Sequence, residues 1–169
     1  MDGNTFDFIT PKVLRHNIAE SVRFAVWLWT MAEKVEPEYQ DEMVRTIVLY
    51  NIGIIEALLL FRAKKEKLIF YDEKYPHATL LAKVFQHTDQ DLIISYRTKK
   101  ARDQSRIWLH ELIKEQKDFL GVSLHEQIVD LQDIRNTFHL AKPRTILSLK
   151  KAEKSFDLVL KLAEKIRKG

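Results

Sequence analysis

Arg135 and His139 stand four residues apart near the end of a stretch with helical spacing, with Asn136 beside the arginine. A guanidinium is a permanent cation that needs an anion, and an imidazole changes charge near neutral pH, so the pair suits the binding of an acidic group and the movement of a proton. At about 100° per residue, Leu124, Ile128, Leu131, Ile134 and Phe138 form an apolar stripe, and Arg135 and His139 fall within about 20° of Ile128, at its edge. An unpaired charge there costs several kcal/mol, so the position needs a reason. One reason is structural: Arg135 pairs with Asp133, Glu56 or another acid while its stem covers apolar surface, and His139 is a core histidine with one hydrogen bond. The spacing alone does not separate that reading from a functional one.

The helix that carries these residues is expected to begin near Ser123, since Ser123-Leu124-His125-Glu126 has the form of a capping box. It is expected to run on to Leu140, because Lys142-Pro143 supplies the break. Upstream, Thr10-Pro11 reads as an N-cap followed by an N1 proline, opening a first helix with Val13, Leu14, Ile18, Val22, Ala25, Val26 and Trp29 at helical spacing. Trp27 and Trp29 read as packing residues rather than as membrane-surface or base-stacking groups. Pro37 separates this helix from a second, expected from about Glu38 to about Lys65 and apolar nearly all round between Val44 and Phe61. Such a helix is either buried on several sides or shared with a partner subunit. Arg45, Asn51 and Glu56 interrupt it, which argues against a membrane span.

From Glu66 to Arg102 the helical pattern weakens. Lys67–Tyr71 and Leu92–Tyr96 read as a small strand pair around 67–97, with Tyr71, Tyr75 and Tyr96 finishing strands or stacking on bases. Lys99, Lys100, Arg102 and Arg106 are either a solvated face or a set of phosphate contacts. A third helix is expected from about Asp103 to Phe119, with Ile107, Trp108, Leu112 and Ile113 inward and Gly121 as its stop. A last helix is expected from roughly Leu147, with Leu149, Ala152, Phe156, Val159, Leu160, Ala163 and Ile166 at helical spacing.

These segments make one all-α domain over residues 1–169, an up-and-down bundle of about five helices. With 46% hydrophobic residues the chain can bury one core, and with only 4 Gly and 4 Pro it favours helices over a turn-rich sandwich. The absence of cysteine excludes disulfides and thiolate-bound zinc, and with no leader sequence evident at Met1 the expected location is the cytoplasm. A net charge of +4 allows attraction to a polyanion without requiring it. There is no glycine-rich phosphate loop, no nucleophile elbow and no paired-histidine zinc helix, so neither metal nor cofactor is expected.

The phrase Asp133-Ile134-Arg135-Asn136-Thr137-Phe138-His139-Leu140, late in a helical chain and followed by one more helix, resembles the signature helix of the HEPN superfamily. The resemblance implies a four- or five-helix bundle and, in the nuclease members of toxin–antitoxin and phage-defence systems, a homodimer whose motif helices face each other across a cleft. It further implies metal-independent cleavage of RNA to a 2′,3′-cyclic phosphate. His139 would be general base or acid for the ribose 2′-OH, Arg135 would stabilise charge on the scissile phosphate, and Asn136 would orient the pair or contact the phosphate. Glu56 would match an acidic position of the family. The interval from Arg135 to His139 is shorter than in those nucleases, and one residue is about 100° of helix. The alternative is therefore a non-catalytic dimeric scaffold, or a module that binds a nucleotide, RNA or a protein such as a cognate antitoxin. A monomeric bundle with Arg135 salt-bridged to Glu56 is a third reading.

Overall fold

The computed structural model describes residues 5–70, 107–137 and 146–169. The chain forms two compact units, Met1–Lys67 with Trp108–Gly169, and Leu68–Ile107. All five helices of the described residues belong to the first unit, and no strand occurs among the described residues. Most of the strand pair expected around 67–97 lies outside them; Lys67–Phe70, which are described, are not strand.

Helix α1 (Lys12–Ala32) has Pro11 as its N-cap, one residue later than the sequence suggests. Ile18, Val22, Ala25, Leu28 and Ala32 form its buried line, four or three residues apart as a one-sided helix requires. Val13 and Val26, which share the helical spacing, are exposed, because the face α1 turns to its neighbour is narrower than the apolar stripe in its sequence. Helix α2 (Pro37–Lys65) begins with Pro37 in its first turn, where the missing N–H costs nothing. The residue before it, Glu36, is held extended at ψ 149, as a pre-proline residue must be. Its far end closes on Lys67, whose amide donates to the Lys64 carbonyl (3.2 Å) and whose φ of 52 turns the chain away from the helix.

Helix α3 (Leu109–Glu115) is shorter than expected: Ile107 and Trp108 precede it in non-helical conformation, and Asp103–Arg106 lie outside the described residues. Gln116 ends it at φ −109 and ψ 15, with its side chain fully buried. Nε2 donates to the Leu59 carbonyl (3.0 Å), and Oε1 accepts from Arg62 (3.1 Å). Helix α4 (Lys117–Asn136) is broken once, at Gly121, where φ 72 and ψ 166 are open to glycine and closed to most side chains. The continuous helix carrying the motif therefore follows Gly121, close to the expected start at Ser123. The Ser123 hydroxyl accepts a hydrogen bond from Gln127 Nε2 (3.0 Å). Helix α5 is Leu149–Lys168, with Ala152, Ser155, Leu158, Val159, Leu162, Ala163 and Ile166 buried.

Helix α2 packs against each of the other four, which explains why its sequence is apolar on nearly every side. By length and composition alone it could cross a membrane, but 61% of its most apolar stretch is buried inside the protein. The polar residues that interrupt it hold the bundle in register. Arg45, almost fully buried, donates to Asp41 (2.8 Å), and the other Asp41 oxygen accepts from the Leu147 amide (2.8 Å), fixing the approach to α5. Asn51 Nδ2 donates to Ser155 Oγ (2.7 Å), whose hydroxyl donates to the Ala152 carbonyl (2.6 Å). The Arg62 guanidinium carbon lies over the Phe119 ring, 3.6 Å from its centre, and burial lowers the Arg62 pKa from the usual arginine value.

Candidate functional site

The site is built at the C-terminal end of α4. Ile128 and Leu131 are buried and anchor the helix, Ile134 is half-buried, and Asp133, Arg135 and Asn136 project outward. Arg135 stands where the helical stripe meets solvent, its side chain 44% exposed. Its Nη1 donates to Glu56 Oε2 at 3.1 Å, and Glu56, 31% exposed, comes from the middle of α2. Of the acids considered from sequence, Glu56 is thus the one that takes the guanidinium. A pair this open to water contributes roughly 0–1 kcal/mol, so it orients Arg135 more than it stabilises the fold.

Helix α4 ends at Asn136, not near Leu140. Thr137 closes it, its amide (2.9 Å) and its hydroxyl (2.7 Å) both donating to the Ile134 carbonyl. Phe138 and His139, expected on the same helix, lie outside the described residues, as do Lys99, Lys100, Arg102 and Arg106. The rule of about 100° per residue therefore places Arg135 and Asn136 but stops short of His139.

Arg135 and Asn136 open onto a cleft of about 470 Å3 shared with Leu49, Trp108, Leu109, His110 and Gln132. Three of these contribute groups that sequence reasoning assigned elsewhere or passed over. Trp108, expected in the core, is 65% exposed, because it is the extended N-cap of α3 (φ −84, ψ 153) and its amide is held by Glu111 Oε2 at 2.8 Å. The signal was present in Trp108-Leu109-His110-Glu111, where a glutamate three residues after a cap position reaches back to it. His110, set aside for lack of a second zinc-ligating histidine, is exposed in the first turn of α3. Gln132 lies one turn before Asn136 on α4.

The cleft thus presents a cation half open to solvent, two carboxamides, an imidazole and an indole face. A phosphate can compete with Glu56 for the guanidinium, and an exposed indole can stack on a base. Among the described residues, no group of three or more His, Cys, Asp or Glu side chains is arranged to hold a metal ion. Comparison with protein-family models, with curated proteins and with solved structures yields no match.

Proposed function

We propose that the chain is a HEPN-like cytoplasmic protein that binds RNA in the cleft at the end of α4 and, with His139, cleaves it without a metal, within a toxin–antitoxin or phage-defence system. The observation that supports this reading is the convergence of Arg135 and Asn136 of the motif with Trp108 and His110 on one cleft. In the reaction the 2′-OH loses its proton to an imidazole and its oxygen attacks the adjacent phosphorus. The bond to the 5′-oxygen breaks, and that oxygen takes up a proton. The products are a 2′,3′-cyclic phosphate and a 5′-hydroxyl. Arg135 neutralises the extra charge on the phosphorus oxygens, Asn136 holds the phosphate in place, and Trp108 stacks on a neighbouring base. Phosphate contacts through Arg135 make binding weaker as salt rises.

A second reading, a non-catalytic module that binds RNA or a partner protein, is favoured by one observation. Glu56 already occupies the guanidinium of Arg135, and a carboxylate at 3.1 Å opposes the approach of a second anion. The deciding experiment incubates the purified chain with a mixed-sequence RNA in EDTA, beside Arg135→Ala, His139→Ala and Trp108→Ala, with end-group analysis. The nuclease reading expects cyclic-phosphate ends that Arg135→Ala and His139→Ala reduce by about a hundredfold or more, with Trp108→Ala chiefly weakening binding. Binding without cleavage, lost in Arg135→Ala and Trp108→Ala, moves the assignment to the non-catalytic module. Neither binding nor cleavage ends both RNA readings.

A further inference from the structure

Cleavage of RNA by its own 2′-OH moves two protons, one off the attacking oxygen and one onto the departing 5′-oxygen. In-line displacement sets these two oxygens on opposite sides of the phosphorus, so the two proton transfers call for groups on different walls of a site. Of the described residues that line the cleft, only His110 carries a side chain of a type that both holds and releases a proton near neutral pH. Arg135 keeps its proton, Asn136 and Gln132 end in carboxamides, and the Trp108 indole does not ionise. The carboxylates nearby are engaged: Glu56 accepts from Arg135 (3.1 Å), and Glu111 accepts from the Trp108 amide (2.8 Å). We propose that His110 is the general acid for the departing 5′-oxygen, a role that rests on the nuclease reading and on His139 as the base for the 2′-OH.

His110 reaches the cleft from a different helix than the motif. It lies in the first turn of α3, whereas Gln132, Arg135 and Asn136 come from α4. Buried side chains hold each wall in place. Leu109, Leu112 and Ile113 fix the rotation of α3 and leave His110 exposed, as Ile128 and Leu131 fix the rotation of α4 and leave Arg135 at the solvent edge. Where α3 stops, Gln116 ties it to α2 through the Leu59 carbonyl (3.0 Å). An imidazole on a helix held in this way needs little reorganisation to meet a phosphate bound by Arg135 and Asn136. The cleft's volume of about 470 Å3 falls within the roughly 300–1,000 Å3 of small-molecule sites, room for one sugar–phosphate unit between the two helices.

The protons and electrons balance. As the 2′-oxygen bonds to phosphorus, the P–O5′ bond breaks and its electron pair goes to the 5′-oxygen, which takes the proton of the His110 imidazolium. His110 is left neutral and His139 protonated. Exchange with water returns both to their starting states, and nothing else is consumed.

The test compares an ordinary RNA with one in which sulfur replaces the 5′-oxygen at the scissile link, because a thiolate departs without needing a proton. The full chain in EDTA is expected to cleave both. His110→Ala is expected to lose about a hundredfold or more on the ordinary RNA and to come within roughly threefold of wild type on the sulfur-substituted one. His110→Gln, which keeps a polar side chain at this exposed position, is expected to behave in the same way. His139→Ala is expected to stay slow on both substrates. His16→Ala, at an exposed position of α1 outside the cleft, is expected to match wild type on both. Equal slowing of both substrates in the two His110 variants at unchanged helical circular dichroism, slowing of neither, or rescue by sulfur in His139→Ala instead would overturn this role while the nuclease reading stands. A wild type that cleaves neither substrate overturns both.

Discussion

Arg135 and Arg45 are both paired with a carboxylate, and the difference in their surroundings sets different consequences for losing the partner. Arg135 and Glu56 are both open to water, so Glu56→Gln is expected to change unfolding free energy by less than about 1 kcal/mol in urea titration. The same substitution removes the competing carboxylate. If the cleft takes RNA, affinity should rise severalfold in a low-salt binding assay; an unchanged affinity would separate Arg135 from the phosphate. Arg45 is 4% exposed and shares Asp41 with the Leu147 amide. Arg45→Ala removes an almost fully buried side chain from beside that carboxylate and is expected to cost about 3 kcal/mol, read as a lowered urea midpoint. A cost below about 1 kcal/mol would show that water replaces the guanidinium.

At the scale of the element, the decisive feature is where α4 is broken and where it ends. Gly121 divides it at φ 72, so the motif helix points in its own direction, set by Ile128 and Leu131 rather than by the segment before the break. An alanine at 121 meets no neighbour but must adopt a backbone conformation that suits only glycine. Gly121→Ala is therefore expected to cost about 2 kcal/mol in thermal or urea unfolding. A neutral result would mean that the helix can run straight through. Helix existence and order were legible from periodicity, prolines and Gly121. The ends of the short elements were not: Gln116, where α3 stops, is buried through a side-chain bond to the Leu59 carbonyl, a partner 57 residues away that no local pattern names. For the same reason Trp108, apolar and beside Leu109, reads as core in the sequence and stands at the mouth of the cleft in the structure.

At the scale of the whole molecule, α2 packs against each of the other four described helices, so a space opened in it is felt across the bundle. Leu58 is fully buried in α2, and Leu58→Ala is expected to cost about 3 kcal/mol, read as a lowered urea midpoint in a single transition. A cost below about 1 kcal/mol would mean that the neighbouring helices close over the space.

The amino-acid sequence by itself determined that the described chain is helical, which helix is central, and that Arg135 lies at the edge of an apolar stripe, because these follow from local periodicity and from what proline and glycine permit. It also named Glu56 as one of several partners for that arginine. Only the tertiary structure chose among them, brought Trp108 and His110 to the same cleft as Asn136, and set α2 against the other four described helices. Each of those outcomes depends on which residues distant in sequence come within reach, and no periodicity along a single helix contains that information.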